Sequence, residues 1–425
     1  MPIIERLTAL EILDSRGRPT VQATCRLRSG AEATISVPSG ASTGSAEALE
    51  LRDGDPRRYG GLGCRRAVSH VEGALQDALA GREFATQRAL DEAMIALDGT
   101  PNKSRLGANA ILAVSLAFAR AAAAERGVPL YAHFAEMCGR PLVALPLPMI
   151  NLFSGGKHAG AQVAAQDVQV MPVSAATMDE ALAMTYAVFQ AAADLSFREY
   201  GMRTLTADEG GLAPAFGRTE AMIAAAVRAI EAAGLRPGAD VVLTLDVAAS
   251  HFARDGLYDL EGERLDRAGL VARLLEWLDR YPIVSLEDGL AEEDWDGWAA
   301  LCDQAGGRIM VMGDDFLCTN PARIDRAIAS GAANALLLKV NQVGTLTEAA
   351  DACQRARAAG WRVVVSARSG ETEDNWLADL AVGWGGDHIK IGSITQSDRL
   401  AKYNRLLAIE RETGLPLARW SGATR

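Results

Sequence analysis

The chain has 425 residues, a formal net charge of −11 and a pI near 5.1, and 49% of its residues are hydrophobic. This length exceeds that of an ordinary small domain and suits one large α/β barrel with an appended domain. The negative charge argues against binding to a nucleic-acid backbone, and an anionic substrate would need local lysines, arginines or metal ions.

The cysteines and the N-terminus indicate a cytoplasmic protein. The six cysteines are scattered without a CxxC pair, as expected for reduced thiols. The first residues, Met1–Arg6, lack the basic and apolar regions of a signal peptide. The most apolar stretch, from Ala108 to Ala124, is short for a membrane span and contains Asn109 and Arg120. We therefore expect no membrane partner and a buried helix at this stretch.

Residues 1–140 predict a small α+β domain. Strand-like segments at residues 3–13 and 20–27 are joined by a polar turn, and small residues at 36–44 leave the backbone mobile and able to approach a ligand. Closely spaced prolines mark the boundary near residue 140. Helical patterns within this domain run from Arg65 to Ala80, from Thr86 to Leu97 and from Asn109 to Glu125.

Residues 141–425 predict an α/β barrel of parallel strands. Apolar runs spaced by roughly 20 to 40 residues alternate with Ala-rich helical segments, which is the interval expected of βα units. Active sites of such barrels are built where the strands end. The runs are Val241–Leu245, Ile283–Leu286, Ile309–Met312, Ala335–Leu338, Val363–Val365 and His388–Ile391.

Acidic residues follow three of these runs. Asp246, Glu287 and Asp314 each come after an apolar run. Three carboxylates that converge on one mouth repel each other unless a cation lies between them, and ligation by oxygen alone favours Mg²⁺. A helix N-cap or a surface position is the alternative for any one of them alone. The three together predict a magnesium site.

Basic groups belong to the later strands. Lys339 follows its apolar run directly, and an ammonium group partly buried near bound cations can lose its proton and act as a base. For a lone lysine the alternative is a surface position. Lys390 lies in the last run, and Arg368 with Ser369 suits a phosphate or carboxylate. Glu209, in a segment also typical of a simple turn, could exchange a proton at the mouth. Together these residues predict removal of a proton next to a carboxylate, with metal ions holding the enolate.

A set of segments spread over nearly the whole chain carries a family resemblance. They are Asp14–Gly17, Gly40–Gly44, Gly155–Ala159, Asp208–Gly211, Ser285–Leu290, Gly313–Asp315, Leu336–Leu346 and Arg368–Asp374. In this order they resemble the enolase family, whose sites combine a basic side chain with one or two Mg²⁺ ions. The resemblance implies an N-terminal α+β domain, an enolase-type (β/α)8 barrel and a homodimer, with a higher oligomer left open.

The resemblance also implies catalytic roles. Lys339 would be the base that takes the C2 proton of 2-phosphoglycerate. Glu209 would be the acid that assists loss of the C3 hydroxyl. Asp246, Glu287 and Asp314 would hold the tighter Mg²⁺.

The same resemblance implies how a small anionic substrate is held. Ser42, on the mobile loop, would help to hold a second Mg²⁺ that arrives with the substrate. Arg368 and Ser369 would grip the phosphate, and Lys390 would contact the carboxylate side. His158 would line the closed site.

The chain departs from the enolase pattern at several positions. Asp167, a further substrate-binding candidate, stands where enolases have glutamate, and Ala367 stands where they have histidine. Both map to the side of the leaving hydroxyl and the phosphate. Ile391 replaces threonine and Ala161 replaces asparagine. The base and the metal ligands are unchanged.

These departures favour a specialised enolase paralogue. A decayed relative would lose groups indiscriminately, whereas this chain keeps the base and the cluster of like charges. Loss of the imidazole at Ala367 would leave space beside the phosphate for an altered phosphoryl or phosphonate group, as in carboxyphosphonoenolpyruvate synthase of phosphinothricin-type pathways. The alternatives are a housekeeping enolase, which converts 2-phosphoglycerate to phosphoenolpyruvate, and a non-catalytic scaffold on the same fold.

Overall fold

The computed structural model describes residues 1–41, 43–201 and 205–422, and its N-terminal part starts with an antiparallel sheet. In order, the strands of this sheet are β1 (Ile4–Leu13), β2 (Pro19–Leu27) and β3 (Glu32–Ser36). The first two strands confirm the strand-like segments predicted from the sequence.

Helices follow this sheet. They are α1 (Arg65–His70), α2 (Gln76–Leu79), α3 (Gln87–Asp98), α4 (Ala108–Glu125) and α5 (Leu130–Met137). The helix predicted from Arg65 to Ala80 is divided, because a π-helical turn, Val71–Leu75, lies between α1 and α2. Helix α4 has the length and hydropathy of a membrane span, but 83% of it is buried inside the structure. It therefore packs as the buried helix that its sequence predicts.

A closed barrel of eight strands forms the second part of the described chain. In chain order, all the strands of this part, including three outside the barrel, are β4 (Leu147–Ser154), β5 (Asp167–Met171), β6 (Val242–Asp246), β7 (Ala253–Arg254), β8 (Leu257–Leu260), β9 (Glu263–Leu265), β10 (Ile283–Glu287), β11 (Met310–Gly313), β12 (Ala335–Leu338), β13 (Arg362–Ser366) and β14 (His388–Gly392). Strands β7–β9 form a small separate sheet, and the others close the barrel. The predicted apolar runs correspond to β6 and β10–β14. The boundary predicted near residue 140 falls between α5 and β4.

Helices surround this barrel and follow its strands. They are α6 (Met178–Tyr200), α7 (Thr219–Ala232), α8 (Arg267–Arg280), α9 (Trp295–Ala305), α10 (Pro321–Ser330), α11 (Leu346–Ala358), α12 (Trp376–Gly383) and α13 (Ser397–Thr413). The crossovers that contain these helices keep β10–β14 parallel, so the strand ends meet at one mouth.

Strand β5 runs antiparallel to both of its neighbours, so the prediction of an entirely parallel barrel was wrong here. Residues 155–166 join β4 to β5 without an α-helical crossover, and such a direct connection reverses the chain. As a result the amino end of β5 lies at the mouth, where Asp167 pairs with Ser154 and Asp246. The sequence did not indicate these two strands because β4 contains Pro148 and β5 carries polar residues among its apolar ones.

A buried hydrogen-bond cluster ties α3 to the start of α11. Asp91 is fully buried, and its Oδ2 accepts a hydrogen bond from the backbone nitrogen of Thr347 at 2.9 Å. Its Oδ1 accepts one from Gln87 Nε2 at 3.0 Å. Burial raises the pKa of Asp91 to about 6, because these hydrogen bonds offset only part of the loss of hydration.

We expect Asp91→Asn to change the pH dependence of stability. The pKa of Asp91 is about 6 in the fold, against an ordinary value of 3.8, so its favourable contribution is complete below pH 3.8 and is lost as the pH rises through about 6. The free energy of unfolding of the native chain, relative to that of the variant, should fall by about 2–3 kcal/mol over this interval. Urea denaturation of both proteins measures this difference. A difference that does not change with pH would contradict the assignment.

Candidate active site

Side chains from the strand ends enclose a small cavity at the mouth of the barrel. Its volume is about 20 Å³, which leaves room for roughly one water molecule. The lining residues are His158, Gln166, Glu209, Asp246, Asp314, Lys339, Ser366, Ala367, Arg368, Ser369, Lys390 and Ile391. Among the predicted site residues, Asp167 and Glu287 do not line the cavity but contact residues that do. Ser42 lies outside the described residues.

Lys390 bridges two of the predicted metal ligands. Its Nζ donates hydrogen bonds to Asp246 Oδ2 at 2.9 Å and to Glu287 Oε2 at 2.6 Å. Gln166 Nε2 donates to the same Asp246 oxygen at 3.2 Å. Burial, and then the charge of Asp246, raise the pKa of Glu287 well above its usual value. The arrangement is a pair of crowded acids held together by one ammonium group.

Lys339 forms an ion pair with Asp314, the third predicted metal ligand. Its Nζ donates to Asp314 Oδ2, and Gln342 Nε2 donates to Asp314 Oδ1 at 2.8 Å. Burial alone would lower the pKa of Lys339, but the charge of Asp314 raises it above the usual value. The amine therefore stays protonated while it contacts this carboxylate.

The loop that carries Asp314 is held by an acid that the motifs did not single out. Asp288 accepts hydrogen bonds from the backbone nitrogens of Asp314 and Asp315, both at 2.9 Å. The only signal in the sequence is that Glu287–Asp288 and Asp314–Asp315 are acid doublets. Burial, and then the charge of Asp314, raise the pKa of Asp315 to about 7.

Two groups of acids and imidazoles in the described part of the chain could hold a metal ion. The ligand atoms of each group lie within 4.8 Å of one another, and the groups are Asp288, Asp314, Asp315 and His158, Asp167, Glu209. Of the three carboxylates predicted to hold the tighter Mg²⁺, only Asp314 belongs to such a group. The ligand roles of all three stay a prediction.

His158 lies at the centre of a buried chain of hydrogen bonds. Its Nδ1 contacts Asp167 Oδ2 at 2.8 Å, and Ser154 Oγ donates to the other Asp167 oxygen at 2.5 Å. Its Nε2 contacts Ser369 Oγ at 3.2 Å and lies 3.7 Å from Glu209 Oε1. Burial alone would lower the pKa of His158, but the charges of Asp167 and then Glu209 raise it to about 9. The ring is therefore positively charged at neutral pH.

Arg368 is buried and paired with an acid from the N-terminal part. Its two terminal nitrogens donate to the two carboxylate oxygens of Glu47 at 3.2 Å each, and Nη1 also donates to Asn341 Oδ1 at 2.9 Å. No sequence pattern indicated Glu47, because it lies 321 residues away along the chain. Arg399, also not predicted, donates to the carbonyl oxygens of Arg368 and Ser369 at 2.7 and 2.6 Å and so fixes their backbone.

Two family models match the chain. The enolase C-terminal TIM barrel domain matches residues 142–424, and the enolase N-terminal domain matches residues 4–134. The chain belongs to the enolase family. The resemblance of the sequence segments and the expected order of domains are thereby confirmed.

Two of the departures from the enolase pattern, Ala367 and Asp167, lie near Ser369 on one side of the cavity. Ala367 lines it two residues before Ser369, and Asp167 approaches Ser369 through His158. The space expected beside Ala367 is part of a volume of only about 20 Å³ in this arrangement of side chains. Ala161 has a φ of +58°, a backbone conformation that asparagine adopts more readily than alanine.

Asp167→Asn should lower the pKa of His158. The substitution removes the nearest negative charge, and burial then favours the neutral ring. NMR titration should show His158 losing its proton near pH 9 in the native chain and at least about one unit lower in the variant. His388, at the start of β14, is the internal control. Burial lowers its pKa to about 4, so its titration is separate from that of His158. Titration of His158 that is identical in both proteins would exclude Asp167 as the cause.

Proposed function

We propose that the chain is a lyase that forms an enolate from 2-phosphoglycerate, or an analogue of it, and yields an enol-phosphate type product. The observation that carries this proposal is the convergence of Lys339, Lys390 and Arg368 with the candidate metal-binding carboxylates around one enclosed cavity. Removal of a proton next to a carboxylate needs such a set, because negative charge builds up on the substrate oxygens and must meet fixed positive charge.

The donor set at the mouth fits Mg²⁺. Asp246, Glu287 and Asp314 offer only oxygen atoms, and each is balanced by a lysine. Mg²⁺ bound to these carboxylates would supply positive charge to the substrate carboxylate as the enolate develops. Ser42 stays the predicted ligand of a second ion that arrives with the substrate.

Lys339 is the base in this proposal. Its side chain lines the cavity and has Asp314 as its partner. In order to accept a proton, the amine must leave this carboxylate and become neutral, and burial favours the neutral form once the negative charge beside it is compensated. Gln342 keeps its hydrogen bond to the other oxygen of Asp314, which holds that carboxylate in place.

Glu209 is the acid that assists departure of the hydroxyl. Burial alone would raise the pKa of Glu209, but the charges of His158 and then Arg399 lower it to about 2, so the carboxylate is ionised at neutral pH. Asn151 Nδ2 orients it by donating to Oε2 at 3.0 Å. His158 Nε2, 3.7 Å from Glu209 Oε1, supplies the charge that keeps Glu209 ionised, so Glu209 must take up a proton before it can protonate the leaving hydroxyl.

We propose in addition that the enzyme is a specialised paralogue, such as carboxyphosphonoenolpyruvate synthase, that accepts an altered phosphoryl group. Ala367 directly precedes Arg368 and Ser369, the proposed phosphate contacts, and its methyl group gives that side of the cavity less bulk than an imidazole. A housekeeping enolase is the second candidate, because Lys339 and Glu209 both reach the cavity. Assembly as a homodimer and a cytoplasmic location stay predictions.

Lys339→Ala should abolish enolate formation without weakening Mg²⁺ binding. Loss of a general base costs about 10²–10⁴-fold in rate, so NMR should show exchange of the C2 proton of 2-phosphoglycerate with deuterated solvent falling by about this factor. Lys103→Ala is a matched control, because it removes a buried lysine paired with Glu348 outside the site. Calorimetry reports the Mg²⁺ affinity. Undiminished exchange in Lys339→Ala would remove this residue from the base role.

Ala367→His should raise the rate at which phosphoenolpyruvate forms from 2-phosphoglycerate. One added hydrogen-bond donor for the transition state can contribute up to about a hundredfold. Absorbance of the enol-phosphate, with a metal-free control, measures the rate. Ala367→Leu adds bulk without a donor and should lower it. No gain in the histidine variant would break the link between Ala367 and substrate choice, and robust turnover by the native chain would favour the housekeeping role.

A further inference from the structure

Arg368, the proposed phosphate contact, is bound to an anion of the chain itself. Glu47 places its two carboxylate oxygens 3.2 Å from the two terminal nitrogens of the guanidinium group. Both side chains are buried, with exposed fractions of 4% and 7%. An arginine receives two phosphate oxygens through the same pair of nitrogens. Glu47 thus takes the position in which Arg368 would hold a phosphoryl group.

Glu47 differs in origin from the other acids at the mouth. The predicted metal-binding acids lie at the ends of barrel strands, whereas Glu47 lies in the segment between β3 and α1 of the N-terminal part. Besides Arg368, its Oε1 accepts from the backbone nitrogen of Gly44 at 3.2 Å and lies 3.4 Å from Gln342 Nε2. None of these contacts is to a residue within a barrel strand, so exchange of Glu47 for a phosphoryl group at Arg368 would leave the strand pairing intact.

The segment that carries Glu47 is closely fitted to the barrel. A Cβ atom at Gly44 would overlap Cys318 Sγ and the backbone of Asp315, so only glycine permits this approach. The backbone nitrogen of Ala48 donates to the carbonyl oxygen of Gln342 at 2.8 Å. This fit places the Glu47 carboxylate on Arg368 and gives it a defined position to return to.

We infer that Glu47 is an internal counter-anion that competes with the phosphoryl group of the substrate for Arg368 and so determines which anions the site accepts. The inference rests on the proposed function, in which Arg368 contacts the phosphate. To displace Glu47, a ligand must interact with Arg368 more strongly than a bidentate carboxylate does. A phosphate dianion meets this condition because it carries the greater negative charge. A monoanion of carboxylate type gains nothing by the exchange and is rejected.

Titration calorimetry with inorganic phosphate at low ionic strength tests the inference without turnover. Glu47→Gln keeps the shape of the side chain but removes its charge, and phosphate should bind about tenfold more tightly, a factor typical of one hydrogen bond to a charged group. Glu50→Gln is the matched control, since it removes a neighbouring carboxylate that pairs with Arg52 at 2.6 Å, and it should leave the phosphate affinity unchanged. Arg368→Met should abolish binding and thereby identify the site.

The outcomes separate this inference from the proposed function. Binding that Arg368→Met abolishes but Glu47→Gln does not strengthen would overturn the inference alone. Phosphate binding that is absent, or insensitive to Arg368→Met, would overturn the proposed phosphate site as well.

A second measurement on the native chain covers the case in which Glu47→Gln does not fold. Calorimetry at the same ionic strength should show that the native chain binds inorganic phosphate but not acetate, because a single carboxylate offers Arg368 no more than Glu47 does. Acetate that binds as tightly as phosphate would overturn the inference.

Discussion

The pairing of opposite charges in a small buried cavity is the constraint on which the active site depends. Lys390 rests on Asp246 and Glu287, and Lys339 rests on Asp314. A buried charge that loses its partner is strongly destabilising, so these groups must exchange partners together and not one at a time. In the proposed function, the substrate would bring negative oxygens for the ammonium groups together with a cation for the carboxylates. The small volume of the cavity has the same cause, because the side chains fill it by pairing with one another.

The polypeptide around the mouth keeps these side chains in place. Asp288 holds the backbone that carries Asp314, and Arg399 holds the carbonyl groups of Arg368 and Ser369. Neither residue lines the cavity. Supporting groups of this kind fix the reacting side chains by hydrogen bonds to the main chain, which is less easily displaced than a side chain.

The sequence predicted which residues lie together at the mouth of the barrel, but not which ion pairs and hydrogen bonds they form there. Asp246, Glu287 and Lys339 were found because parallel strands end at one mouth, a rule that needs only the position of each apolar run. Glu47 could not be found in this way, since its pairing with Arg368 depends on the packing of the N-terminal part against the barrel. The orientation of Asp167 was missed for a different reason: one direct connection reverses β5, and its residue pattern does not record the direction of a strand.

The hairpin of β4 and β5 also affects how the barrel assembles. Its strands are separated by a short segment, and hairpins form within microseconds. Closure of the barrel requires β14 to pair with β4, which places His388 opposite Leu147. Because these strands are far apart in the sequence, their pairing carries a large entropic cost of loop closure. The strands that present Asp167 can therefore associate early, whereas Lys390 is delivered by the last strand of the barrel. During synthesis on the ribosome, the active site stays incomplete until that strand has emerged.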